Sequence, residues 1–194
     1  MNAIKTTTLS IVLIVLIFLL STASVFGDLK LNEKLLAYHS GNPDAFLITK
    51  QIFMSFTDFS AVKINSFTVA ENSHLDDVVS VLRDMSYAAL ILLLLWVFMF
   101  VNSPKPVVLI IGSVVSVVIL GLLYFVQFDL LFSYIHQPFF SSGSWEFSVN
   151  SLLIQTYPLE YWQALGFNIG CRIAVSSVFL FLLGIFGLFY KKYK

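Results

Sequence analysis

Three histidines stand in this 194-residue chain, at positions 39, 74 and 136, and the last two have neighbours that suit catalysis. His74 precedes Asp77 by three residues, a spacing that sets both on one face of a helix. A carboxylate one turn from an imidazole can hold its tautomer and stabilise the imidazolium, as a general base requires. The plainer alternative is that Asp76 and Asp77 only complement the dipole of a helix N-terminus. His136 comes just before Pro138, a helix stop, and is followed by Phe139-Phe140 and the turn-rich Ser141-Ser142-Gly143-Ser144-Trp145. Its plainer alternative is an interfacial histidine beside an aromatic belt. His39 precedes the turn Gly41-Asn42-Pro43-Asp44 and is expected to be an ordinary surface or packing residue.

Other chemistries find less support. The one cysteine, Cys171, lies in an apolar stretch, so neither an intrachain disulfide nor a cysteine metal site is expected. No Gly-x-Ser-x-Gly elbow is present for a serine lipase. His74, Asp77 and His136 could ligate zinc with one position open, but no His-Glu-x-x-His pattern accompanies them.

The elements that must position these residues are membrane elements. The chain is 58% hydrophobic and only 11% charged, with a mean hydropathy of +0.89. Soluble domains carry about 25% charged residues, so the composition belongs to the membrane class. Intrinsic disorder is excluded, and no basic excess exists to bind nucleic acid. Four apolar runs of about 20 residues can cross a bilayer, at about 9–26, 79–101, 106–128 and 169–190. Only helices satisfy their own backbone there, apart from closed barrels. The expectation is an all-α polytopic membrane protein in a single domain, 1–194. Lys5, the first apolar core and Ser21-Thr22-Ala23 look something like a cleavable secretory signal. The run continues to Phe26, long enough to remain as an anchor.

Charge sets the expected orientation. Residues 1–8, 102–105 and 191–194 carry five lysines (Lys5, Lys105, Lys191, Lys192, Lys194) and no acid. Cytoplasmic flanks are enriched in lysine and arginine. Both termini are therefore expected in the cytoplasm, with the outer segments 27–78 and 129–168 forming a small cap. All eleven acids, from Asp28 to Glu160, fall in the outer half of this map.

Within the first outer segment, Leu29, Leu31, Leu35 and Leu36 suggest a short amphipathic helix. Thr68…Glu71 and Ser73…Asp76 are overlapping capping-box patterns, either able to start a long helix that carries His74 and runs to the 102–105 turn. In the second, Phe128, Leu131, Phe132, Ile135 and Phe139 recur at helical spacing, so the third helix is expected to extend to about Gln137. Leu152-Leu153-Ile154, Tyr157-Pro158 and Tyr161-Trp162 suggest a re-entrant or interfacial segment. Arg172, near the outer end of the fourth span, could snorkel or meet a lipid phosphate or carboxylate. Each of the two histidines thus ends a helix on the same outer side, a plausible place to act on a lipid ester.

Phe67-Thr68…Glu71…His74-Leu75-Asp76-Asp77-Val78, then Leu131-Phe132…His136…Phe139-Phe140…Gly143-Ser144-Trp145…Leu153-Ile154…Tyr157-Pro158, resembles the lipoprotein intramolecular transacylase family of four-helix membrane proteins. The resemblance covers the order of all four helices and both outer segments. It implies an acyltransferase acting on a diacylglyceryl-modified lipoprotein at the outer face of the cytoplasmic membrane. The sn-2 acyl chain would move to the α-amine of the same cysteine, making the lyso form, with no cofactor, metal or nucleotide. His74 and His136 would be the catalytic pair. Asp77 or Glu71 would orient His74, and Trp145 would shape the pocket. The chain departs from the family where acids are expected after the Trp and it has Ser148, Asn150 and Ser151. That departure keeps a non-catalytic membrane scaffold or accessory protein in play, and the candidate zinc ligands His74, Asp77 and His136 keep a metal-dependent membrane hydrolase as another alternative. Oligomeric state is not legible.

Overall fold

The computed structural model describes residues 3–101 and 106–192, so the 102–105 connection and Lys194 invoked for orientation lie outside the described residues. Among these, every regular element is an α-helix: α1 (Ala3–Phe26), α2 (Leu29–His39), α3 (Ala45–Asp58), α4 (Val69–Val101), α5 (Pro106–Tyr124), α6 (Phe128–His136), α7 (Leu152–Thr156) and α8 (Leu159–Lys192). Four of them, α1, α4, α5 and α8, are long and apolar enough to cross a membrane. The protein is a polytopic all-α membrane protein with four spanning helices.

The chain divides into two compact units. One comprises Met1–Ser24, Ser86–Phe125 and Asn168–Lys194 and is built from the apolar helices. Leu9, Leu13 and Ile17 of α1 pack with Val108 and Leu109 of α5 and Ile173 of α8. Because lipid is as apolar as these side chains, close packing and interhelical hydrogen bonds must hold such a bundle. The Trp96 indole N–H donates to the Leu9 carbonyl at 2.9 Å. Small residues let backbones approach: a Cβ added at Gly112 would stand 2.7 Å from Leu13, and one at Gly184 would stand 2.9 Å from the Pro106 carbonyl oxygen.

The other unit comprises Val25–Met85 and Val126–Phe167. Leucine spacing in α2 buries Leu36, as expected, and the Asp28 carboxylate caps the helix by accepting from the Leu31 N–H at 3.1 Å. Asn32, fully buried, donates to the Val25 and Asp28 carbonyls and accepts from the Tyr161 hydroxyl. The turn 41–44 leads into α3, which the sequence reading did not anticipate.

Of the two capping boxes, only Thr68…Glu71 is used as a cap. Thr68 Oγ1 accepts from the Glu71 N–H at 3.2 Å, and Glu71 Oε2 accepts from the Thr68 N–H at 2.7 Å. Ser73 is already inside α4, so Asp76 has no cap to complete and accepts instead from the Val62 N–H. The third helix does not continue to Gln137. It ends at Tyr124, the Phe125 N–H returns to the Leu122 carbonyl, and an extended Gln127 (φ −59°, ψ 134°) starts α6 as a separate helix. No glycine or proline marks this break, so the apolar period runs through it unbroken. The expected interfacial segment resolves into the short α7 and the first turns of α8, which begins at Leu159, well before Ile169.

Candidate functional site

The site is assembled within the second unit from the first turns of α4, the whole of α6 and the segment that follows it. The capping box fixes where α4 begins, and therefore the azimuth at which His74 leaves it. Asn72 pins the incoming chain on the same turn, its amide donating to the Ile64 and Phe67 carbonyls while its oxygen accepts from the Ile64 N–H at 2.7 Å. His74 is consequently 8% exposed, a depth few histidines reach without a partner.

Glu71 does more than cap. It is 2% exposed, and its second oxygen accepts from the Leu153 N–H of α7 at 2.9 Å. Burial raises its carboxyl pKa, but hydrogen bonds from Leu153, Thr68 and Leu152 outweigh that and hold it below the usual carboxylate range. One carboxylate thus joins the helix that carries His74 to the start of α7.

On the other side, α6 presents His136 at its C-terminal turn. Its Nδ1 lies 2.7 Å from the Phe132 carbonyl, one turn back. A carbonyl only accepts, so Nδ1 carries the proton and Nε2 keeps its lone pair. The ring also packs on Phe132 at 4.0 Å between centroids and on Trp145 at 4.9 Å.

The two imidazoles stand 6.4 Å apart, centroid to centroid, with their planes 27° from parallel. Phe140 touches both, at 5.0 Å from His74 and 5.3 Å from His136, and Phe147 lies 5.5 Å from His74. His74 Nδ1 is buried without a hydrogen-bond partner. Burial and the nearby His136 push the His74 pKa down to about 4, against a smaller upward pull from Asp77. His136 is also shifted down by burial, with the Phe132 hydrogen bond opposing. Both groups precede or lie outside the spans at 79–101 and 106–128, and both rings are neutral at pH 7.

The candidate residues therefore fall into three groups. His74, His136 and Trp145 come together. Glu71 and Asp77 flank His74 in sequence, yet no hydrogen bond joins either to its ring: Glu71 is engaged with Thr68 and Leu153. Asp77 is exposed and lines a separate polar cavity of about 260 Å³ with Asp76, Ser60, Ser80 and Arg83. Arg172 belongs to the other unit, where its guanidinium donates to the Ser24 carbonyl at 2.8 Å. Among the described residues no three His, Cys, Asp or Glu side chains come together as a metal-binding group. Ser151, one of the positions where an acid was expected, caps α7 through the Ile154 N–H.

Sequence reasoning missed Phe147 and the role of the Phe132 carbonyl. The i to i+4 relation of Phe132 and His136 was visible, but a ring nitrogen bonded to a backbone carbonyl has no side-chain signature.

Comparison with known proteins agrees with this architecture. The structure resembles the membrane integral lipoprotein intramolecular transacylase Lit from Bacillus cereus, with a TM-score of 0.76 at 18% sequence identity, covering 98% of this chain and 97% of that one. A form of the same Bacillus cereus protein with a histidine-to-alanine substitution gives a TM-score of 0.73 at 18% identity, over 98% of this chain and 95% of that one. At that identity the likeness is one of fold. An uncharacterized protein of Aquifex aeolicus (strain VF5) is 28% identical over 127 residues, 64% of this chain, and the chain spans 56% of that relative's length. The lipoprotein intramolecular transacylase family matches residues 7–162, most of the chain including both histidines, and the chain belongs to that family.

Proposed function

We propose that this protein is an acyltransferase that moves the sn-2 acyl chain of a diacylglyceryl-cysteine lipoprotein to the α-amine of the same cysteine. The observation that carries this reading is the paired neutral imidazoles in an aromatic enclosure, one with its tautomer set by a backbone carbonyl. In the reaction the amine nitrogen bonds to the ester carbonyl carbon, and the carbonyl carbon–glyceryl oxygen bond breaks. One proton leaves the amine and one arrives on the glyceryl oxygen, so an acid and a base suffice.

His136 suits the base, because its Nε2 lone pair is the free one. His74 suits the proton donor. It starts neutral, receives in the tetrahedral intermediate the proton that His136 took from the amine, and with so low a pKa gives it up readily to the glyceryl oxygen. Glu71 positions the pair's supporting helices, and Trp145 shapes the wall beside His136. The substrate is held in the outer leaflet, and both termini lie in the cytoplasm, as the lysine asymmetry supports.

The test is expression in a cell lacking lipoprotein N-acylation, followed by mass spectrometry of the lipopeptide N-terminus. The lyso form should appear, and should vanish with His74→Ala or His136→Ala at unchanged protein level. Full activity in both variants, or activity lost on chelation and restored by zinc, would refute the mechanism.

A further inference from the structure

Resting on the reading above, we infer that Phe140 and Phe147 are specificity residues that exclude water from the acyl carbonyl, so that the acyl chain reaches an amine rather than being hydrolysed. A site that activates an ester towards an amine also exposes it to attack by water, and closing the site is the general remedy. The hydrolytic side reaction balances simply: water oxygen bonds to the acyl carbon, the bond to the glyceryl oxygen breaks, and a free fatty acid leaves with the α-amine unmodified.

The geometry places the rings where that competition is decided. Phe140 lies edge-on to His74 at 5.0 Å and close to His136 at 5.3 Å, so it walls the space both imidazoles share. Phe147 covers His74 from the far end of the intervening turn at 5.5 Å. Three rings pack against His74: the partner imidazole and these two phenylalanines. His74 is only 8% exposed, and its Nδ1 lies buried without a hydrogen-bond partner. A polar lining could have satisfied that nitrogen and would also hold water, whereas an aromatic one forfeits the hydrogen bond and disfavours water. Neither phenylalanine has a group that can move a proton, so their contribution is to the choice of acceptor.

The full-length protein, purified in detergent, is given a synthetic dipalmitoylglyceryl-cysteinyl peptide with a free α-amine, and N-acyl peptide and free palmitate are quantified together. Phe140→Ser and Phe147→Ser should each raise the ratio of palmitate to N-acyl product by about tenfold or more, and Phe147→Leu should return it towards the parent ratio. The ratio is independent of how much enzyme is folded. An unchanged ratio in the serine variants overturns the inference while leaving the transfer reaction standing; absence of both products from the parent protein instead overturns the proposed function. A second measurement needs no variant. Diethylpyrocarbonate, a small water-borne reagent, should modify His74 of the parent protein at least about tenfold more slowly than His39. Equal rates would show that water reaches the imidazole and would overturn the inference.

Discussion

The imidazoles of His74 and His136 face each other at 6.4 Å between centroids, with no hydrogen bond joining them. A direct N···N bond would need about 3 Å, so each ring is free to address a third group placed between them. Two residues that act on one group act as a unit. Each alanine substitution should therefore lower the transfer rate by about 10²–10⁴-fold, and the double variant should be hardly worse than the poorer single one. Rate constants from single-turnover mass spectrometry check this, and additive losses would mean that the histidines act in separate steps.

Burial determines the pH at which the pair works. The folded protein holds His74 at about 4 against an ordinary 6.5, so the neutral form persists well below the usual histidine range. Protonation of the substrate α-amine, ordinarily at about 7.7–8.0, slows transfer first. His74 adds no limb near 6.5 but a further one only towards about 4. The sign for stability is the same: folding disfavours the proton, so the penalty starts below 6.5, grows as pH falls, and is complete below about 4. Asp77 opposes this shift, so Asp77→Asn should move the His74 limb to lower pH. A limb moving upward would show that Asp77 acts otherwise.

The sequence was most informative where local chemistry and global fold agree. Thr68 and Glu71 start α4 where the capping pattern says, and α2 forms where the leucine spacing places a helix, with Leu36 buried. The four spans follow from apolar length, and the two histidines emerge at helix ends because α4 begins and α6 ends there. What was hidden is what period and composition do not encode. The break after Tyr124 lacks glycine or proline. Asp44 makes no side-chain cap bond to announce α3. The spacing of His74 and Asp77 is right for a pair, yet Asp77 is exposed and His74 buried, because burial of the next turn is decided by α6 and its following loop. Phe147 reaches His74 across more than seventy residues of chain, a relation only tertiary packing creates.

Glu71 joins two distant segments, so its loss should exceed that of a simple cap. Thr68→Ala should cost about 1 kcal/mol, the ordinary value for a helix N-cap. Glu71→Ala removes the same box and also leaves the buried Leu153 N–H unpaired, adding roughly 1–3 kcal/mol. Thermal unfolding in detergent should rank parent above Thr68→Ala above Glu71→Ala. Because the folded state holds Glu71 below its ordinary 4.5, its contribution is present above that pH and fades as pH falls through the lower folded value. Equal losses for the two variants would mean that the bond to Leu153 contributes nothing.

Close approach of α5 and α8 depends on Gly184, where a Cβ would meet Ile110 at 2.7 Å and the backbone oxygen of Pro106 at 2.9 Å. A side-chain carbon can rotate away, but a backbone oxygen moves only with its helix. Gly184→Ala should therefore separate these helices and destabilise the apolar unit by about 1–3 kcal/mol, in the range of other overpacked sites. Gly121 is the control, since a Cβ there meets nothing within 4 Å. Replacing a helical glycine by alanine in open space restricts the unfolded chain and favours the helix, so Gly121→Ala should be neutral or slightly stabilising. Unfolding followed in detergent separates the two outcomes: if both variants match the parent, α5 and α8 are not packed closely enough for a methyl group to matter.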